Sequence, residues 1–361
     1  MNEKRKTASV LLSFLLLALV AACGGKTEPA GPASESVMPS AAPSATPSAE
    51  ATPKQVVTVK FSEVIRSIFY APHYAAMSKG FYEEEGIRVD MNTAQGSDKG
   101  AAALIAGTAD ISMVGPETAI YIYNQKGGKT LKIFHQLTMK DGSFLLSRNK
   151  VDSFKWSDLS GKTIIGWRPG SSPQMVMNSQ LAKEGVKDAK VITNIAAPAM
   201  VGAFTNGQGD FIQVFEPVAS MLVNTGKAYY AASLGESYGT FPETSFVATS
   251  DFIRDRPDVI QGFVNAVAKG QRWLGKASPD EIADALMPYF EGTSKELILA
   301  SVERYKKQDT WPAVPELTPE AFETLQNVLI DNGVLKREEK LANMADVVDM
   351  SFVRKIGQEG K

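Results

Sequence analysis

From residue 56 onward the chain alternates between short β-rich runs and helical runs, with proline or glycine at many of the joins. Such alternation specifies mostly parallel sheets covered by helices on both faces. Residues 56–61 read as a strand. Residues 72–79 read as a helix, with Pro72 in its first turn and Gly80 past its end. A second strand falls at 87–91. The Ala-rich run 98–106 reads as a helix with Ser97 as N-cap and Gly107 as its stop. Residues 109–114 form a third strand, and Pro116 opens the next helix. Strands at 131–137 and 144–147 follow. A second unit of the same kind starts with a strand at 162–167. Ser172 then caps a helix with Pro173 in its first turn. A strand at 190–194, a helix at 198–206, a strand at 211–215 and a helix opened by Pro217 come next. Strands at 229–234 and 245–248 precede a stretch that is helical to the end. Its amphipathic runs lie at 257–276, 279–290 and 319–332. There is no tandem repeat of 20–50 residues. Two α/β units with a helical tail describe a two-lobed protein.

The first 55 residues have a different character. Lys4, Arg5 and Lys6 precede an apolar run, 10–20, broken only by Ser13. That run is too short for a membrane span, which needs about 20 apolar residues, and it suits an export signal. Val20-Ala21-Ala22 leads into Cys23, the only cysteine in the sequence. Small residues before a lone cysteine resemble a lipobox, in which the cysteine is acylated and becomes the new N-terminus. An ordinary signal peptide with a chance cysteine is the plainer alternative, but an exported chain seldom keeps one unpaired thiol. Residues 26–55 are almost wholly Pro, Ala, Ser, Thr, Gly and Glu, a composition that has little apolar surface to bury. The expected organisation is a signal peptide at 1–22 and a lipidated cysteine with a disordered linker at 23–55. Lobe one follows at 56–138, lobe two at 142–240, and the return to lobe one with the C-terminal helices at 241–361. The expected location is the outer face of the cell membrane, with the anchor as the only membrane contact.

Charge narrows the partners. The sequence carries 38 basic and 40 acidic residues, and loss of residues 1–22 leaves 35 and 39. Mild acidity argues against nucleic acid, which calls for a basic patch. A single cysteine leaves packing alone to hold the fold. Enzyme signatures are missing. Gly161-Lys162-Thr163 and Gly128-Lys129-Thr130 have Trp156 and Tyr123 where a phosphate-binding loop needs glycine. The two histidines, His73 and His135, are not spaced as a metal pair. No serine lies in a Gly-x-Ser-x-Gly elbow. No cofactor is expected.

In α/β sheets, ligands bind where strands end and loops lead into helices. Those loops carry a pattern. Ala71-Pro72-His73-Tyr74-Ala75-Ala76, Lys79-Gly80-Phe81-Tyr82, Glu85-Gly86-Ile87 and Gly107-Thr108-Ala109-Asp110-Ile111 occur in order. Asp158 to Gly166, Gly170-Ser171-Ser172, Ala203 to Gly207, Asp210 and Phe215-Glu216-Pro217 continue it. Together they resemble the ABC-transporter substrate-binding family of nitrate, alkanesulfonate, taurine and thiamine-pyrimidine-precursor receptors. The resemblance implies a type II periplasmic-binding-protein fold, two lobes joined by a two-crossover hinge. It implies a small-molecule ligand, an ABC permease with a separate ATPase subunit, and a monomer.

Candidate ligand contacts each have a plainer alternative. Phe69 and Tyr70 could stack on a flat ligand or fill the core. His73 could face the ligand, solvent or a backbone carbonyl. Glu117 could accept hydrogen bonds from an amine or ring nitrogen, or serve its helix dipole. Trp167 could line the cleft or the core. Arg168 with Gly170, Ser171 and Ser172 suits an anion at a helix start, and Ser172 could also be a routine N-cap. Glu216 could be a turn residue, and Arg66 could meet an anion or bridge the lobes. Aromatics plus Glu117 and Glu216 favour a nitrogen heterocycle such as a thiamine pyrimidine precursor. Arg168 and the serine loop favour an alkanesulfonate, taurine or another small anion. Pyrimidine synthases share this fold but carry a cysteine-rich segment, and no cysteine follows Cys23.

Overall fold

The computed structural model describes residues 56–356. Cys23 and the segments assigned to signal, lipobox and linker lie outside the described residues. Ten strands form two five-stranded sheets. They are β1 (Val57–Glu63), β2 (Ile87–Thr93), β3 (Ile111–Val114), β4 (Leu131–Lys140) and β5 (Ser143–Ser147). The rest are β6 (Thr163–Ile165), β7 (Lys190–Ile192), β8 (Phe211–Phe215), β9 (Tyr229–Ser233) and β10 (Thr240–Thr249). The first sheet has the order β2-β1-β3-β10-β4, the second β7-β6-β8-β5-β9.

Both sheets are mixed, against the expectation of mostly parallel ones. In the first, β1 pairs in parallel with β2 and β3, but β10 runs antiparallel to both β3 and β4. In the second, β6 pairs in parallel with β7 and β8, and β5 runs antiparallel to β8 and β9. The reversal has a topological cause. β5 and β10 are the strands on which the chain enters one sheet from the other, so neither arrives through a same-sheet helical crossover, which would impose parallel pairing.

Local signals account for most helix ends. The helix Pro257–Lys276 falls where the amphipathic run predicts it, and Pro319–Asp331 stops one residue short of its run. Two caps differ from expectation. Gly96 is the N-cap of the helix Ser97–Ala106, and the Ser97 hydroxyl accepts from the Gly115 N–H at 3.1 Å. Ser171 is the N-cap of Ser172–Lys183, which frees the Ser172 hydroxyl for another partner. The short helix Leu234–Tyr238 is an addition to the sequence reading.

The crossovers are tightly packed. Asp141 and Gly142 join β4 to β5, and a Cβ at residue 142 would lie 2.3 Å from the Phe69 ring. Only glycine permits that approach. Tyr305, on the helix Lys295–Lys307, donates to the Gly142 carbonyl at 2.9 Å and accepts from the Glu216 N–H at 3.0 Å. The C-terminal helices therefore reach the point where the two sheets meet.

Candidate functional site

Between the two sheets lies a cavity of about 340 Å³, within the range of small-molecule sites. Its floor is built from strand ends and helix starts. From the first lobe come Val64 and Ile65 after β1, the Gln95–Lys99 loop, Gly115 and Glu117, and Glu243 and Thr244 of β10. From the second come Trp167, Arg168, Ser171, Ser172, the Ile195–Pro198 loop and Phe215.

Glu117 follows Pro116 in the first turn of the helix Glu117–Asn124. Its carboxylate folds back over Gly115, where an added Cβ would fall 2.2 Å from a carboxylate oxygen. That pose turns the carboxyl toward the other lobe. There it accepts from the Ser172 hydroxyl at 2.6 Å. Burial pushes its pKa up, while the Ser172 bond and the Arg168 charge pull it back. Arg168 Nε itself pairs with Asp98 at 3.1 Å, across the lobes and largely in solvent. An exposed pair of this kind contributes at most about 1 kcal/mol. Tyr121 donates to the Gly170 carbonyl at 3.1 Å, a third bond between the lobes.

Glu243 is a cavity-lining carboxyl that sequence reading missed. It is 4% exposed, lines the cavity, and its Oε2 has no hydrogen-bond partner among the described residues. Burial holds its carboxyl well above the ordinary carboxylate range, and the charges of Asp141 and Glu117 add to the effect. Asp141 is itself pushed up to about 7 by burial. Its Oδ1 accepts from the Ser143 N–H at 2.7 Å and from the Ser143 hydroxyl, and its Oδ2 has no partner among the described residues. A signal for Glu243 was present: a carboxylate directly after Pro242, two residues before the strand read at 245–248. Tyr70 lines the same wall, with its hydroxyl pKa raised by burial and by Glu243. Trp167 stands edge-on to Phe215 at 5.2 Å, and its indole Nε1 is buried without a partner among the described residues.

The structure thus gathers Tyr70, Glu117, Trp167, Arg168, Ser171 and Ser172 around one cavity. Other candidates lie elsewhere. Phe69 is fully buried against Tyr70, Phe215 and Tyr305, with its carbonyl accepting from Trp311 Nε1 at 2.9 Å. His73 is fully buried among Phe61, Phe246 and Phe263, with Nδ1 2.7 Å from the Tyr82 hydroxyl. Burial lowers its pKa to about 3, so it stays neutral in the core. Gly170 turns with φ +73°, is not among the cavity-lining residues, and its carbonyl accepts from Tyr121. Arg66 and Glu216 border a neighbouring chamber, and both spend their charge on protein partners. Arg66 Nε bonds Glu63 at 2.7 Å. The Glu216 carboxylate accepts from Arg304 at 2.9 Å, Tyr230 at 2.6 Å, and the Ser220 hydroxyl and N–H at 3.0 and 2.9 Å.

Two α/β lobes closed on a shared cavity have the type II periplasmic-binding-protein fold. The periplasmic nitrate-binding protein NrtA from Synechocystis PCC 6803 superposes with a TM-score of 0.70 at 18% identity, over 85% of this chain and 89% of that one. The alkanesulfonate-binding protein SsuA from Xanthomonas axonopodis pv. citri, bound to MOPS, gives 0.67 at 16%, over 82% and 99%. The chain belongs to the NMT1/THI5-like family, whose model matches residues 68–282. YtlA of Bacillus subtilis (strain 168) is 40% identical over 282 residues, 77% of this chain and 84% of YtlA.

Proposed function

We infer that this protein is an extracytoplasmic receptor, held at the outer face of the cell membrane by an acylated Cys23, that delivers a small molecule to an ABC permease with a separate ATPase. The ligand class we favour carries N–H donors on a flat ring, as a nitrogen heterocycle of the thiamine-pyrimidine-precursor type does. One observation supports this reading: two buried carboxyls, Glu117 and Glu243, border the cavity, and one of them has an oxygen without a partner among the described residues. An unpaired buried acceptor is costly, and a ligand N–H relieves it. Burial favours the protonated form of a carboxyl, and in that form it can also donate to a ring nitrogen. Trp167 and Tyr70 supply aromatic surface beside them. Cleft closure around a ligand is the motion this fold uses.

A small anion is the second reading. Ser171 and Ser172 stand at the start of a twelve-residue helix facing the cavity, and helix starts favour anions. Ser172, however, already donates to Glu117, and Arg168 to Asp98. A small anion also offers no donor to the Glu243 oxygen that lacks a partner among the described residues. A pyrimidine-synthase activity on this fold is the least supported reading, since no cysteine follows Cys23. Calorimetry with 4-amino-2-methylpyrimidine, nitrate and ethanesulfonate tests the ranking. The pyrimidine is expected to bind tightest. Micromolar binding of either anion with none of the pyrimidine would reverse it.

A further inference from the structure

We propose that the ligand of this site is bipartite, with a polar head in the main cavity and an apolar arm that passes Trp167 into a second chamber. This deepens the reading above and rests on the same cavity as the ligand site. The second chamber has about 230 Å³, more than the roughly 150 Å³ of a dry apolar cavity able to hold benzene. It is not a separate pocket. Trp167, Phe215, Ile65, Gln95, Ala197 and Pro198 border both spaces, so the indole forms a shared wall.

The chemistry of the two spaces differs. Beyond Trp167 the wall is Met200, Val201, Val214 and Val218. Arg66 and Glu216 also border it, but their charged groups are engaged, Arg66 by Glu63 and Glu216 by Arg304, Tyr230 and Ser220. Among the described residues, no carboxyl bordering this chamber has an unpartnered oxygen. An aliphatic arm gains from apolar burial without displacing well-bound water from polar groups. Trp167 covers the arm's first carbons while its other face meets the head.

The test is calorimetry on two homologous series, n-alkylamines and n-alkanesulfonates, each from propyl to hexyl. The ammonium head suits Glu117 and Glu243, and the sulfonate head suits the anion reading. Affinity is expected to rise about fourfold per methylene in the amine series. Val218→Phe, at a half-buried position, is expected to flatten that slope by filling the chamber. Val201→Phe, also half-buried, is the second variant should the first fold poorly. A slope seen only with sulfonates keeps the bipartite site and removes the N–H-donor head. Flat series with both heads, no binding by any member at millimolar concentration, or a slope untouched by either folded variant overturns the proposal.

Discussion

Glu216→Gln separates a structural carboxylate from a ligand-binding one. The native carboxylate receives four hydrogen bonds, from Arg304, Tyr230 and both donors of Ser220. Removing one partner of a fully buried ion pair costs about 3–5 kcal/mol. The Arg304 side chain is 35% exposed and regains water, and glutamine keeps one acceptor oxygen. A loss of about 2 kcal/mol is therefore expected. At roughly 2.1 cal/mol/K per residue, some 300 residues unfold with an entropy of about 0.6 kcal/mol/K, so Tm falls by about 3 °C. Arg304→Gln should produce a similar drop, and the double variant should lose less than the sum, because the two groups share one interaction. Glu117→Gln is the counterpart. It should leave the ligand-free Tm near wild type and weaken a heterocyclic ligand by about fivefold or more, a loss of at least about 1 kcal/mol. Scanning calorimetry and titration on the same samples decide the matter. Unchanged Tm with lost affinity in Glu216→Gln would refute the structural assignment.

Asp141→Asn should change how stability depends on pH. The native pKa of Asp141 is raised to about 7 from an ordinary 3.8. Its contribution to stability is thus complete below pH 3.8 and is lost as pH rises through 7. The variant should gain on wild type steadily between pH 4 and 8 in calorimetric Tm. His73 and His135, lowered to about 3 by burial, act in the opposite sense below pH 6.5, but they are common to both proteins and cancel in the difference. Trp167→Phe should abolish any ligand-induced change in tryptophan emission, and a retained response would place the reporter elsewhere. Cys23→Ala should abolish incorporation of radioactive fatty acid in the native host, and an unlabelled wild type would remove the anchor.

Much of the fold was written in local signals. Pro72, Gly107 and Pro116 mark real helix boundaries, and the run at 257–276 matches its helix because capping and amphipathicity are both local. Strand direction was not local. Nothing within residues 240–249 says that the segment inserts between β3 and β4, because that pairing depends on segments about a hundred residues earlier. The site divides along the same line. Glu117, Trp167 and Ser172 sit at strand-to-helix junctions, which the α/β rule identifies. Glu243 lies on a returning strand, outside that rule. Glu216 occupies such a junction too, but Arg304 neutralises it from 88 residues away. Burial and long-range pairing, rather than residue type, decide which carboxylate is left for a ligand.

The insertion of β10 also orders the birth of the structure. Among the described residues β4 has no strand neighbour in its sheet except β10, so the first sheet stays divided until residue 249 is available. The second sheet is complete once residue 233 is present. A chain threading outward from its N-terminus thus emerges with a split first half, followed by a middle that can finish on its own. Pairings of long sequence separation form slowly. The lobe that begins first is closed last, and pulsed hydrogen exchange on refolding chains should find β5 to β9 protected ahead of β4.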